Sequence, residues 1–350
     1  MEAFTIDPTR SRPDAALIGA IVTEEVKANG RRLFHKGHRL AAADLAALAT
    51  VERPLHAVRL GPDDVHEDAA GRRLADAVAG DDPGITIKGP VQSRYNLVAA
   101  TKGLLRVDAS AVVDLNRLEG IALFTLPDRL PVLPGKIVAG AKVTPVAVPE
   151  AVLRAAETLA AARAAPVVRV AAFRALTVGV VTTEGLEGKV RDRFRDTVTR
   201  KVGWYGGRVL RFEDLPSEPE PVAAAVEGLV ADGADLVLTG GGNTIDPLDA
   251  ALRALPRLGA EMVKFGAPAH PGSMFWLAYR GAVPIFNLAS CSMYSKATVA
   301  DLVLPWIMAG ERVTPDDLAA LGYGGLLDRD MGFRFPAYDA EAAADEDEDG

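Results

Sequence analysis

From residue 176 onward, short apolar runs alternate with amphipathic stretches, as strands and helices do in an α/β domain. The runs at 176–181 (LTVGVV), 207–212, 235–239, 261–265 and 283–288 read as strands. The stretches at 188–202, 219–231, 246–254 and 293–308 read as helices. Leu236, Val237 and Leu238 follow one another without a polar residue between them, which predicts a strand buried on both faces.

Before residue 176 the pattern is different. The first 60 residues mix short strands with a helix expected at 41–49, and 58–60 reads as a strand. Residues 63–80 have the periodicity of an amphipathic helix closed by Gly80. Residues 84–148 are short β-rich runs separated by Gly and Pro, the pattern of a small barrel or sandwich, with one helical piece at 108–120. Pro149 then opens a connecting helix at 149–164, and beyond the main domain a short helix starts at Thr314. These shifts divide the chain into an N-terminal α+β region (1–82), a barrel-like β region (83–148), a linker (149–173), the α/β domain (174–312), an extension (313–338) and an acidic tail (339–350).

At 350 residues, 49% apolar and 25% charged, the chain has room for two or three domains with a sizeable core. No run of about 18 uncharged apolar residues is present, which argues against a membrane span and, with no apolar core near Met1, predicts a cytoplasmic protein. The net charge is −8, and the segment 339–350 alone carries seven acids and no base. Setting those seven charges aside leaves −1, so the body lacks the basic surface that nucleic acid demands, and the tail reads as a solvated end. The single cysteine, Cys291, forbids an internal disulfide, and His35, His38, His56 and His66 match no zinc spacing.

The candidate chemistry lies at the strand ends of the α/β domain. After the buried run come Thr239, Gly240, Gly241 and Gly242, then Asn243, Thr244 and Asp246-Pro247-Leu248-Asp249. Three glycines let a ligand approach the main chain closely. Asp246 at N-cap, Pro247 at N1 and Asp249 at N3 then predict a helix whose free N–H groups attract an anion. The same residues are also what a strand-to-helix turn and a capped helix need without any ligand. Thr182, Thr183 and Glu184 end the first strand, and Lys189 and Arg191 lie in the next helix start, which suits either a phosphate ligand or a solvated helix end. The turn Pro271-Gly272-Ser273 and the turn Ser290-Cys291-Ser292 complete the set.

In this order, TTEG, TGGGNTIDPLD, HPGSMFWLAYRG and PIFNLASCS resemble the molybdopterin-binding domain shared by molybdotransferases and molybdopterin adenylyltransferases, over about residues 174–312. YGGRVL and the stretch from KATVADLVLPWIMAGERV to ALGYGGL further resemble stand-alone molybdopterin-binding proteins with an N-terminal β-rich region. The resemblance implies a three-layer α/β/α domain with a mostly parallel sheet, preceded by an α+β region rich in short strands. It also implies a pterin-phosphate pocket lined by Thr182, Thr183, Glu184, Thr239, Gly240, Gly241, Gly242, Asn243, Thr244, Pro271, Gly272, Ser273, Ser290, Cys291 and Ser292. Asp249, Asp246 and Lys189 are the implied catalytic groups, and Asp246 or Asp249 the implied Mg²⁺ ligand. Two departures stand out. Relatives read Leu-Pro-Gly where this chain has Leu288-Ala289-Ser290, and the cysteine cluster found in stand-alone relatives near residue 325 is missing.

The function that the resemblance implies is molybdopterin or molybdenum-cofactor binding, in maturation by molybdate insertion or in delivery, by a homo-oligomer that hands the cofactor to a molybdoenzyme. Two competing readings stay open. The Thr-Gly-Gly-x-x-Thr-x-Asp run also resembles the competence-damage-type domain, a nucleotide pyrophosphatase or amidohydrolase, and the chain could be a non-catalytic partner of a molybdoenzyme.

Overall fold

The computed structural model describes residues 1–28, 30–144, 146–183, 185, 187–241, 246–288 and 297–338. The chain forms two compact units. The first comprises Met1–Ala100, Val107–Asp128 and Gly135–Arg169.

This first unit is built on small antiparallel sheets. Strand Leu55–Arg59 pairs with Glu2–Ile6 and with Ile21–Val22, and a four-stranded sheet runs in the order Ile121–Thr125, Ile137–Val143, Arg94–Ala99, Ile85–Val91. The helix expected at 63–80 starts later than its periodicity suggests. Asp64–His66 is a strand paired with Ala147–Pro149, and the helix runs Glu67–Ala79. Backbone pairing takes priority there because those amides have a partner strand, and His66 Nδ1 then caps the helix by accepting from the Asp68 amide at 3.3 Å. Gly80 ends it at φ 52°. Helix Glu150–Ala161 is tied to it by Arg73, whose guanidinium donates to Glu150 at 2.7 Å and to Glu157 at 2.8 Å. The piece expected at 108–120 is the helix Ala109–Asn116, with Asp108 accepting from the Ala111 amide at 2.9 Å.

The second unit holds Thr101–Arg106, Arg129–Pro134 and everything from Val170. The elements of its main sheet and the helices that follow its strands are, in order, β1 (Thr177–Thr182), α1 (Gly188–Trp204), β2 (Arg208–Asp214), α2 (Pro219–Ala231), β3 (Leu236–Gly240), α3 (Ala250–Ala254), β4 (Glu261–Phe265), β5 (Trp276–Arg280), β6 (Val283–Leu288), α4 (Val299–Met308) and α5 (Pro315–Ala320). The sheet order is β2-β1-β3-β6-β5-β4. Strands β2, β1, β3 and β6 are parallel, and β5 and β4 return antiparallel.

Both faces of this sheet are covered, which explains the unalternated apolar strands. Val178, Val180, Leu236, Leu238 and Phe286 pack with Phe194 and Val198 of α1 and Val303 and Ile307 of α4. Val181, Val237 and Ile285 point the other way, onto Val222 and Val226 of α2 and Ala250 and Ala254 of α3. The fold class is therefore α/β, with a mostly parallel six-stranded sheet between two helical layers in the second unit and small β-rich sheets in the first.

Three elements of the second unit depart from what the hydrophobic pattern predicts. Strand β5 has no counterpart in the pattern because it follows the Pro-Gly turn directly; it forms by hairpin pairing with β6 around Gly281. Helix α4 starts at Val299 instead of 293, because Thr298 and Asp301 bond each other across its first turn. Residues 293–296 lie outside the described residues. Every residue of α4 is buried, as expected of a helix apolar nearly all round. The third departure is α3, whose start lies inside the candidate site.

Candidate functional site

Parallel pairing brings the carboxyl ends of β1, β3 and β6 to one edge. Thr182 stands opposite Gly240, and Gly240 opposite Leu288. Because β5 runs antiparallel to β6, the turn 271–275 that leads into it lies at the same edge. This is the place where open α/β sheets hold ligands.

On β1, Thr182 and Thr183 are both buried. The Thr182 hydroxyl donates to Asp214 at the end of β2, and Arg195 of α1 donates to the other oxygen of Asp214 at 2.6 Å. The Thr183 amide donates to the Gly240 carbonyl at 3.2 Å, which closes the turns of β1 and β3 together. Asp214 was not legible as part of the site; its only signal is an acid at a strand end, in RFEDLP.

Thr239 is buried at 4% exposure. Gly240 has a packing reason: a Cβ there would stand 2.5 Å from the Phe194 ring of α1. Gly241 follows at φ 77°, a conformation that favours glycine. Glu184, Gly242, Asn243 and Thr244 lie outside the described residues.

The α3 start reverses the roles expected of its two acids. Asp249, not Asp246, is the N-cap: its Oδ1 accepts from the amides of Ala251 at 3.0 Å and Leu252 at 3.2 Å. Asp246 stands three residues earlier, exposed, and accepts from the Leu248 amide at 2.8 Å. The reason is that 246–249 forms a turn of its own, with the Asp249 amide bonded to the Asp246 carbonyl at 2.9 Å. The amides of α3 are thus already satisfied by a buried carboxylate, and the free helix end belongs to α1 instead.

Helix α1 is 17 residues long and opens at Gly188 with φ 51°, followed by Lys189 and Arg191, both exposed. No side chain among the described residues caps it. The Val190 amide of its first turn donates to the Glu187 carbonyl at 3.2 Å, and the amides of Gly188 and Lys189 ahead of it are placed to face an incoming anion.

The Pro-Gly turn is held from two directions. The Pro271 carbonyl accepts from the Val299 amide at 3.2 Å, which sets the turn on the start of α4. Gly272 adopts φ 111°, and a Cβ there would meet the Val299 amide nitrogen at 2.8 Å. From the other side the extension clamps it: the His270 amide donates to the Gly325 carbonyl and the Leu327 amide to the His270 carbonyl, both at 2.8 Å. Ser273 is exposed beside it. Asn287, buried in β6, accepts from the Trp276 amide at 2.7 Å and donates to the Met274 carbonyl at 3.1 Å, fixing the far end of the turn. An amide side chain in the apolar run VPIFNL is the signal that would have found it. Ser290, Cys291 and Ser292 lie outside the described residues.

Behind the edge lies a buried polar cluster. Lys201 of α1 pairs with Asp301 of α4 at 2.7 Å, and the Tyr338 hydroxyl donates to Asp301 at 3.1 Å. The Tyr205 hydroxyl is 3.3 Å from that of Tyr338. Burial pushes both phenols well above their ordinary pKa, so both remain protonated. Among the described residues, no group of three or more His, Cys, Asp and Glu side chains is placed to hold a metal, and no helix is long and apolar enough to cross a membrane.

Residues 177–309, less than half of the chain, match the family model described as "probable molybdopterin binding domain". Two solved structures are similar to parts of the chain. The molybdopterin biosynthesis enzyme MoaB from Thermus thermophilus is 18% identical over 39% of this chain and 98% of its own, with a TM-score of 0.29. The molybdopterin biosynthesis MoeA protein from Pyrococcus horikoshii is 13% identical over 71% of this chain and 74% of its own, with a TM-score of 0.31. No curated protein matches the chain. The assignment of the domain rests on the family model, and these distant structures add nothing to it.

Proposed function

We propose that the chain, whose residues 177–309 match the family model of a probable molybdopterin-binding domain, binds molybdopterin or the molybdenum cofactor at the carboxyl edge of its sheet. There it acts in maturation, by molybdate insertion, or in delivery to a molybdoenzyme. The observation that carries this reading is convergence. Two glycine-bearing turns, one on Gly240-Gly241 and one on Gly272, meet the uncapped first turn of α1 at one edge.

The donor set suits a phosphate. First-turn amides of α1 supply N–H groups, and Lys189 and Arg191 supply cations. The exposed Asp246 is free of capping duty and can accept from a pterin N–H or share a Mg²⁺ with ligand phosphates, since Mg²⁺ sites often use one or two carboxylates. Thr182 is held by Asp214 and Asp249 by its own helix, so both act by positioning the turns. The chemistry required of the protein is orientation and charge stabilisation, without a covalent nucleophile.

The test is direct. Protein taken from cofactor-replete cells and oxidised with iodine should release a fluorescent pterin. Incubation with adenylylated molybdopterin, Mg²⁺ and molybdate should release AMP if the role is insertion. Pterin release without AMP would leave delivery, and neither would sink the proposal.

A further inference from the structure

We infer that the open face of the four-stranded sheet in the first unit binds an adenine nucleotide, with the base on Phe124 and the phosphate on Arg94 and Lys88. The site lies within the first unit, and nothing in it rests on the ligand reading proposed above.

This sheet has two unlike faces. Along a strand, side chains alternate between the faces, and residues opposite each other on paired strands share one. Tyr95, Leu97, Leu123 and Ala141 share the buried face. Helix Glu67–Ala79 packs there, so closely that a Cβ at Gly71 would stand 3.2 Å from the Tyr95 ring.

The opposite face carries two rows. Lys88, Asn96, Gly140 and Phe124 stand opposite one another across the four strands. Arg94, Lys142 and Ala122 form part of the next row. The four strands contain no Asp or Glu, and among the described residues Lys88, Arg94 and Lys142 pair with no carboxylate. Lys142 donates to the Gln92 carbonyl at 2.9 Å, an acceptor without charge, so the face stays cationic. Phe124 is 47% exposed and its ring lies on Gly140, where a Cβ would clash with the ring and stand 3.2 Å from Arg94 Cδ. Ring and cation thus meet over the position in the row that has no side chain.

The second observation is two orphaned atoms on this face. Asn96 is 8% exposed, and its buried Oδ1 accepts no hydrogen bond. The buried Nε of Arg94, two residues away on the same face, donates none. Buried polar atoms nearly always have partners. An acceptor and a donor left open at neighbouring positions, neither serving the other, are completed by a ligand with a matching polar edge. Rotation of the half-exposed Phe124 ring off Gly140 gives a flat ligand access beside them.

The residue types name the ligand. An exposed ring stacks on a base, guanidinium and ammonium groups take a phosphate, and an Asn amide matches the amino and ring-nitrogen edge of adenine. From Lys88 to Phe124 the row spans three strand spacings, about 14 Å, which accommodates one nucleotide lying across the strands. A nucleic-acid strand needs a succession of rings, and these four strands offer one exposed ring.

Calorimetric titration of the full chain with adenosine 5′-monophosphate tests the site, with adenosine and inorganic phosphate as its two halves. The nucleotide should bind about tenfold or more tightly than either half, and Phe124→Ala and Arg94→Gln should each weaken it by about tenfold while still melting cooperatively. Asn96→Leu removes an amide that has no partner in the free protein, so its melting temperature should hold or rise while nucleotide affinity falls. Phosphate binding as tightly as the nucleotide, no nucleotide binding, or an affinity unchanged in both Phe124→Ala and Arg94→Gln overturns the site. Full affinity in Asn96→Leu overturns the part assigned to the amide.

Discussion

Lys201 Nζ lies 2.7 Å from Asp301 Oδ1, and the two side chains are only 6% and 1% exposed. Removing one member of a buried pair strands the other charge in a poor solvent. Lys201→Met is therefore expected to lower the unfolding free energy by about 3–5 kcal/mol, read from urea denaturation. A loss within about 0.5 kcal/mol, the size expected of an exposed site, would show that the pair does not organise the α1–α4 packing.

The exchange of caps at α3 separates the two acids experimentally. Asp249→Ala should cost about 1 kcal/mol of stability, because two amides lose their acceptor. Asp246→Ala should leave the melting temperature nearly unchanged and weaken pterin binding instead. Paired thermal melts and ligand titrations of both variants distinguish these outcomes, and the opposite assignment of effects would return the ligand role to Asp249.

Gly272→Ala meets two obstacles, a φ of 111° and the Val299 amide 2.8 Å from the new Cβ. A loss of about 1–3 kcal/mol is expected from the backbone conformation alone, with loss of ligand affinity as the turn shifts from α4. Gly185→Ala is the control: it also has positive φ, at 52°, but meets nothing within 4 Å, so its cost should be the smaller. Equal costs would remove the steric part of the argument.

In the first unit, the hydrogen bond from Arg73 holds the Glu150 carboxyl down to about 2 from an ordinary value of 4.5, with Arg154 adding to it against the cost of burial. A depressed carboxyl contributes its stability in full above the unfolded value and loses it as pH falls through the folded one. Glu150→Gln should thus lower the melting temperature at pH 7, and the difference from the unaltered chain should close between pH 4.5 and about 2. A difference that persists at pH 2 would mean that the carboxylate charge is not its source.

Much of the α/β domain was legible because its strands and helices obey strong periodicities. Helix α2 lies where 219–231 was expected, and β4 and β6 lie at 261–265 and 283–288. The misplaced boundaries share a cause. The starts of α3, α4 and the helix at Glu67 were set by caps and by strand pairing, and local patterns do not say which of two nearby acids, or which amides, will find partners. Strand β5 was missed because only its partner β6 makes WLAYR a strand.

By itself the sequence determined the fold class, the glycine turns and the family resemblance, since these depend on spacing along the chain and on residue type. The tertiary structure alone decided that Thr182 answers to Asp214, that Gly325 clamps the turn at Gly272, and that Tyr338 closes over Lys201 and Asp301. Each of these joins residues far apart in sequence, and a side chain's role there depends on which distant group the packing places within hydrogen-bond reach.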